Sequence, residues 1–173
     1  METIVPVCQY EEFTIHTSSV GATSNTKYTC TLPVPIKDIV EASIISAHIP
    51  VSSPGVTPVY YISIDELRDR RTDYAPANAP ATSTGAGNTH QIDTTNSPIR
   101  NALGVVYPDN TATSTYIIFK DRYQITTEYF NPIRSLDKLS ITILDATGAQ
   151  ALDAATTSTF ITFRFKCKRK NFC

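Results

Sequence analysis

The chain has 173 residues, of which 41% are hydrophobic and 18% are charged. This length fits one domain, and the apolar content suffices for a core, so global disorder is excluded. The 15 Lys and Arg residues and the 16 Asp and Glu residues give a net charge of −1, which excludes a polycation that binds nucleic acid through overall charge.

Strand-like alternation dominates the first part of the chain. Threonine, at roughly one residue in seven, favours strands together with Ile, Val and nine Tyr. The pattern predicts strands at residues 10–17, 28–32, 36–51 and 59–67. We expect Pro33 and Pro35 to end the second of these strands, and a phase change near residues 42–45 predicts that the third has a bulge or is a buried strand.

A polar segment at residues 68–98 interrupts this pattern. It is rich in Ala, Pro, Thr and Asn and has few large apolar side chains. Because such a segment has little to bury, we expect a long surface loop inserted into the domain.

Strand patterns resume after the insertion. They predict strands at residues 103–107, 116–120, 123–129, 139–144 and 159–168. Asp121-Arg122 separates two of these strands and predicts a tight hairpin or a strand pair, and Asn131-Pro132 predicts a turn. The last strand alternates imperfectly and groups Phe160 with Phe163 and Phe165. No segment sustains a helical period, so helix should stay below about 15%.

This succession of short strands and turns is typical of an antiparallel sandwich or barrel. Strand order alone does not separate an immunoglobulin-like sandwich from a jelly roll. The long, uneven loops and the lack of a Cys-Trp-Cys framework favour the jelly roll. We therefore predict an all-β, antiparallel, eight-stranded jelly-roll sandwich formed by one domain over residues 1–173, with the insertion at 68–98 and a basic tail at 169–173.

Three segments carry a resemblance to a known family. They are the apolar stretch that ends in SAHIP at Pro50, the segment YYISIDEL, and YFNPIRSLDKLSITILDATG before a polar loop and a Phe-rich strand. Over about half of the chain, their order resembles that of single-jelly-roll capsid proteins of large double-stranded DNA viruses. The resemblance implies a penton or minor capsid protein, placed at the vertices or under and between the major capsomers.

Residues that could carry out chemistry form no recognisable site. His16, His48 and His90 fall in separate segments, and no Gly-x-Ser-x-Gly elbow is present. Asp65 and Glu66 are adjacent, so a strand would direct them to opposite faces, and nearby Arg residues favour a salt-bridge cluster. We predict no catalytic, cofactor-binding or metal-binding residues, no cofactor and no enzymatic activity.

The C-terminal region holds the strongest charge cluster. It comprises Arg164, Lys166, Lys168, Arg169 and Lys170. One hypothesis is a solvated terminal strand and tail. The other is a partner-facing basic arm that contacts an acidic neighbouring subunit, an anionic membrane or a packaged genome.

The four cysteines form no CxxC pair and have no His at zinc-ligand spacing. They are free thiols, or they clamp the two chain ends together. First and last strands usually pair in a jelly roll, so we expect Cys8 to lie near Cys167, or near Cys173 if the tail folds back. The N-terminal residues lack a secretory signal pattern, so we do not expect a disulfide bond to form.

The resemblance therefore implies a structural capsid protein located in the virion and assembled in the host cytoplasm. It implies as partners copies of the chain, in a pentamer if the protein is the penton, and other capsid proteins, with no small-molecule substrate. The alternative is a jelly-roll module that binds carbohydrate or a receptor through an exposed Tyr platform. A small hydrolase has no supporting motif.

Overall fold

The structure is a computed structural model that describes residues 9–50, 59–67, 102–107, 116–120, 126–145, 150–151 and 158–169. The predicted insertion at 68–98 lies outside these residues, as do Cys8, His90, Lys170 and Cys173. Every regular element among the described residues is a β-strand, apart from one short 3-10 turn. The all-β prediction is therefore confirmed, and so is the prediction of little helix.

Seven antiparallel strands form one continuous sheet over the described residues. The strands are β1 (Tyr10–Ser18), β2 (Lys27–Pro50), β3 (Tyr60–Ile64), β4 (Ala102–Val106), β5 (Tyr116–Lys120), β6 (Thr126–Leu144) and β7 (Phe160–Lys168). The 3-10 turn, Asp65–Leu67, follows β3 directly. The sheet order is β1-β7-β2-β6-β3-β4, and β5 pairs with the end of β2.

The prediction that Pro33 and Pro35 end a strand is wrong, because β2 continues through both. Thr31 pairs with Lys138 of β6, and the next paired residue of β2, Ile36, lies opposite Leu136. The two prolines thus fall within a bulge, where the ladder is interrupted. Proline has no N–H to donate, so it is tolerated at that point without the loss of a ladder hydrogen bond.

The turn predicted at Asn131-Pro132 is likewise a bulge, here within β6. Ile133 pairs with Ile39, and the next paired residue of β6, Glu128, lies opposite Glu41. The bulge predicted for β2 near residues 42–45 is confirmed on the β7 side, where the register shifts between Ile44 and Ser46.

The hairpin predicted at Asp121-Arg122 is wrong. β5 pairs with residues 46–50 of β2, and the first residues of β6 pair with residues 41–43 of the same strand. β5 and β6 therefore follow one another along one edge of β2 in the same direction, whereas a hairpin would reverse the chain. Local turn residues could not reveal that both segments use the same partner.

The sheet folds over so that its two halves face each other. In a flat sheet, β4 would lie three strand spacings, about 14 Å, from β2. Instead, a Cβ atom built on Gly104 of β4 would lie 2.8 Å from Cδ1 of Ile44 in β2. Thr127 Oγ1 of β6 also donates a hydrogen bond of 2.9 Å to the Leu103 carbonyl of β4. Side chains from both halves accordingly join in one core.

Strand β7 contributes one clean apolar face to this core. Its buried side chains are Ile161, Phe163, Phe165 and Cys167, while Phe160 faces the other way and is 48% exposed. The predicted grouping of Phe160 with Phe163 and Phe165 is therefore wrong. Strict alternation along β7 sets its two faces, and it also determines where the basic residues of this strand lie.

Candidate partner-binding face

The basic residues of β7 lie on the side of the strand opposite the core. Arg164, Lys166 and Lys168 alternate with the buried residues, so they form one row on the outer surface of the sheet. Strands β1 and β2 flank this row on either side. We call the outward side of β1, β7 and the paired part of β2 the β7 face. Arg169 follows directly after β7, and Lys170 lies outside the described residues.

Lys166 is held by both neighbouring strands. Its Nζ atom lies 3.2 Å from Glu41 Oε2 on β2 and 4.9 Å from the centre of the Tyr10 ring on β1. Glu12 is its partner in the β1 register. An acidic side chain therefore stands on each side of Lys166, and much of its charge is compensated within the sheet.

Arg169 joins the start of the tail to β1. Its Nε atom lies 3.7 Å from Glu11 Oε2, and its backbone N–H donates to the Gln9 carbonyl at 3.0 Å. Both side chains are about half exposed, so the ion pair is solvent-screened. The backbone hydrogen bond extends the β1–β7 ladder by one residue pair.

Arg164 and Lys168 have no ion pair within the described part of the chain. Arg164 lies between Thr14 of β1 and Ser43 of β2, and Lys168 lies opposite Tyr10. The structure thus brings three of the five predicted basic residues into one row flanked by acidic side chains, while Arg169 pairs with Glu11, which alternates to the other side of β1. A surface of mixed sign suits a protein neighbour better than a uniformly anionic polymer.

Two aromatic side chains mark the ends of the β7 face. Tyr10 and Phe160 occupy outward positions at opposite ends of the β1–β7 pair, and each is about half exposed. The proposed Tyr platform has less support, because Tyr60 and Tyr129 are buried in the core. Tyr107, another candidate for this platform, is exposed. The alternation of β1 could have identified Tyr10 as an outward residue.

The adjacent carboxylates Asp65 and Glu66 lie in the 3-10 turn, so the argument from strand geometry does not apply to them. Glu66 accepts hydrogen bonds from Ser140 N at 2.8 Å and from Ser140 Oγ at 2.7 Å, and Lys138 Nζ lies 4.0 Å away. Glu66 therefore fastens this turn to β6. Nothing in the local sequence indicated Ser140 as its partner.

Two cysteines are described, and both are free thiols. Burial raises the pKa of Cys167 to about 11, and the nearby carboxylates of Glu11 and Asp38 add to the shift. Cys30 donates from Sγ to the Ser18 carbonyl at 3.6 Å. The predicted pairing of the first and last strands is confirmed by β1 and β7. The proximity of Cys8 to Cys167 or Cys173 stays a prediction, because Cys8 and Cys173 lie outside the described residues.

No arrangement of catalytic type is visible in the described ranges. His16 Nδ1 lies 3.0 Å from Thr162 Oγ1, and no group of three His, Cys, Asp or Glu side chains there could hold a metal ion. The same residues contain no helix with the length and hydropathy needed to cross a membrane. No protein-family model matches this chain, and no curated protein matches it significantly.

Proposed function

We propose that this protein is a jelly-roll structural subunit of the capsid of an icosahedral double-stranded DNA virus. One observation carries the proposal: β2 and β6 stay paired with each other across proline-containing bulges, and each gains a second partner only on the C-terminal side of its bulge, β7 for β2 and β3 for β6. Each of these long strands can therefore be counted as two strands. With β5 taken as a continuation of the first part of β6, the described residues count as eight strands in this proposal.

These eight strands divide into two groups of four. The first group orders β1, β7, the C-terminal part of β2 and the N-terminal part of β6. The second orders the N-terminal part of β2, the C-terminal part of β6, β3 and β4. Numbered along the chain, the orders in this division are 1-8-3-6 and 2-7-4-5, and this order supports the proposal of a jelly roll built from two Greek keys.

The composition of the chain supports a role in assembly. Few charges and many Thr and Tyr residues suit extensive contact between subunits, because interface cores are depleted in charge and enriched in Tyr. The partners in this proposal are copies of the chain and other capsid proteins. The β7 face, with its mixed charges and two exposed aromatic side chains, is the surface we assign to a neighbouring subunit. A basic tail that contacts an internal membrane or the genome remains part of the proposal.

Electron microscopy of purified particles that carry a label on this chain tests the proposal. We expect the label at positions repeated by icosahedral symmetry, either in rings at the vertices or beneath the major capsomers. The purified chain should self-associate only weakly. A stable monomer that never appears in particles would refute the proposal, and micromolar binding of that monomer to a glycan would favour the carbohydrate-binding alternative.

A further inference from the structure

Among the described strands, β1 forms one edge of the sheet, and it is unusually regular for an edge strand. It pairs with β7 over all nine residues without a register shift. Its sequence, YEEFTIHTS, contains no Pro and no Lys, two residues that commonly protect sheet edges from pairing with other chains. The side chains of residues 10–14 are all exposed, so this part of the strand is open to solvent.

The hydrogen bonds at the two ends of β1 show which backbone groups point away from β7. Arg169 N donates to the Gln9 carbonyl, and Ser19 N donates to the Thr159 carbonyl. In an antiparallel ladder, alternate residues direct both backbone groups to the same side. The odd-numbered residues of β1 therefore bond to β7. Glu12, Thr14 and His16 direct their N–H and C=O groups toward the free edge.

We propose that this free edge pairs with the β1 edge of a second copy of the chain. The two strands run antiparallel about a two-fold axis at Thr14, so the sheet continues from one molecule into the next. Thr14 then exchanges both backbone hydrogen bonds with Thr14 of the other copy, and Glu12 exchanges its bonds with His16 of the other copy.

Side-chain complementarity selects this register. With Thr14 at the centre, the carboxylate of Glu12 lies opposite the imidazole of His16. On the core side, Phe13, which is 37% exposed, lies opposite Ile15 of the other copy. A register centred on Phe13 would oppose Glu11 to Ile15, and one centred on Glu12 would oppose two carboxylates. The first alternative places a carboxylate against an apolar side chain, and the second places two like charges against each other.

This pairing does not depend on the capsid proposal. A two-fold contact is closed, so by itself it yields a dimer and not a ring or a shell. Failure of the dimer would leave the capsid role untouched, and absence of the chain from particles would leave the dimer untouched.

Cysteine cross-linking tests the register directly. A hydrogen-bonded antiparallel pair places its Cα atoms about 5.5 Å apart, within the range that a disulfide spans. Under mild oxidation, the purified variant Thr14→Cys should form a covalent dimer well above the background of the unsubstituted chain. Glu12→Cys is the matched control on the same edge, and it should not, because residue 12 lies opposite residue 16. No cross-link for Thr14→Cys, or a stronger one for Glu12→Cys, would overturn the proposal.

Analytical ultracentrifugation tests the edge hydrogen bonds. The unsubstituted chain should show a monomer–dimer equilibrium at high concentration. Thr14→Pro should weaken dimerisation at least about tenfold, because proline removes the central donor of each copy. The β7 ladder does not use this N–H, so the variant should keep its circular dichroism spectrum. Thr14→Val is the control and should dimerise like the unsubstituted chain. A strictly monomeric unsubstituted chain, or a folded Thr14→Pro variant that dimerises equally well, would refute the pairing.

Discussion

Replacement of Phe163 by Ala is the sharpest test of the fold. Phe163 is fully buried on β7, opposite Ile15 of β1 and Ile44 of β2, and its ring centre lies 6.3 Å from that of Phe165. Truncation of a buried Phe to Ala costs about 3–5 kcal/mol, through lost burial and the cavity left behind. Since a domain is stable by about 5–15 kcal/mol, this one change should remove a large share of the free energy of unfolding.

Phe160→Ala is the matched control in the same strand. Phe160 faces outward, half exposed, with its ring centre 6.1 Å from that of His48. Its replacement should cost less than about 1 kcal/mol. Urea denaturation followed by circular dichroism and Tyr fluorescence measures both variants, and the m value should stay unchanged. Equal losses, or a larger loss for Phe160→Ala, would mean that β7 presents its other face to the core.

Three further predictions concern side chains described above. Glu66→Ala should destabilise the protein by about 1–3 kcal/mol in urea denaturation, because the backbone N–H and the hydroxyl of Ser140 both lose their acceptor; Asp137→Ala, at an exposed position, is its control. A double-mutant cycle on Lys166 and Glu41 should give a coupling energy below about 1 kcal/mol that falls further with added salt, because both side chains are partly exposed. A coupling energy that added salt leaves unchanged would mean that solvent does not screen the Lys166–Glu41 pair. The pKa of Cys167 is raised from 9.0 to about 11, so the unfolded chain loses this proton first as the pH rises. The contribution of this thiol to the free energy of unfolding should be fully present below pH 9 and should be lost between pH 9 and 11. The urea midpoint measures this fall, and Cys167→Ala should make it shallower; a slope that Cys167→Ala leaves unchanged would exclude this thiol as the cause.

Strands are predicted well from the sequence where a local alternation of polar and apolar residues marks them. The pattern from Tyr10 to Thr17 predicted β1 because polar and apolar residues alternate there, and a half-buried strand needs little else to be recognised. The last strand was also located correctly, but the faces of Phe160 and Ile161 were not. Both residues are large and apolar, which hid the phase at the start of the strand, although counting back in twos from Lys166 and Arg164 places Phe160 on the outer face.

The candidate site was predicted only in part. The run from Arg164 to Arg169 was visible as a charge cluster, since charge is a property of composition. The ion pair of Lys166 with Glu41 was not visible, because Glu41 is 125 positions from Lys166 along the chain and meets it only through the β2–β7 register. Glu66 and Ser140 are likewise brought together by tertiary structure alone.

The sequence by itself determined that this protein is built from antiparallel strands, since β-branched residues and period-two alternation run through most of the described segments. Only the tertiary structure decided that Pro33, Pro35 and Pro132 lie within long strands. A turn signal describes local backbone preference, whereas strand continuity depends on whether neighbouring strands supply hydrogen bonds on both sides of the bulge. These bulges, which no local pattern specifies, allow β2 and β6 to pass from one half of the folded sheet to the other and enclose the core.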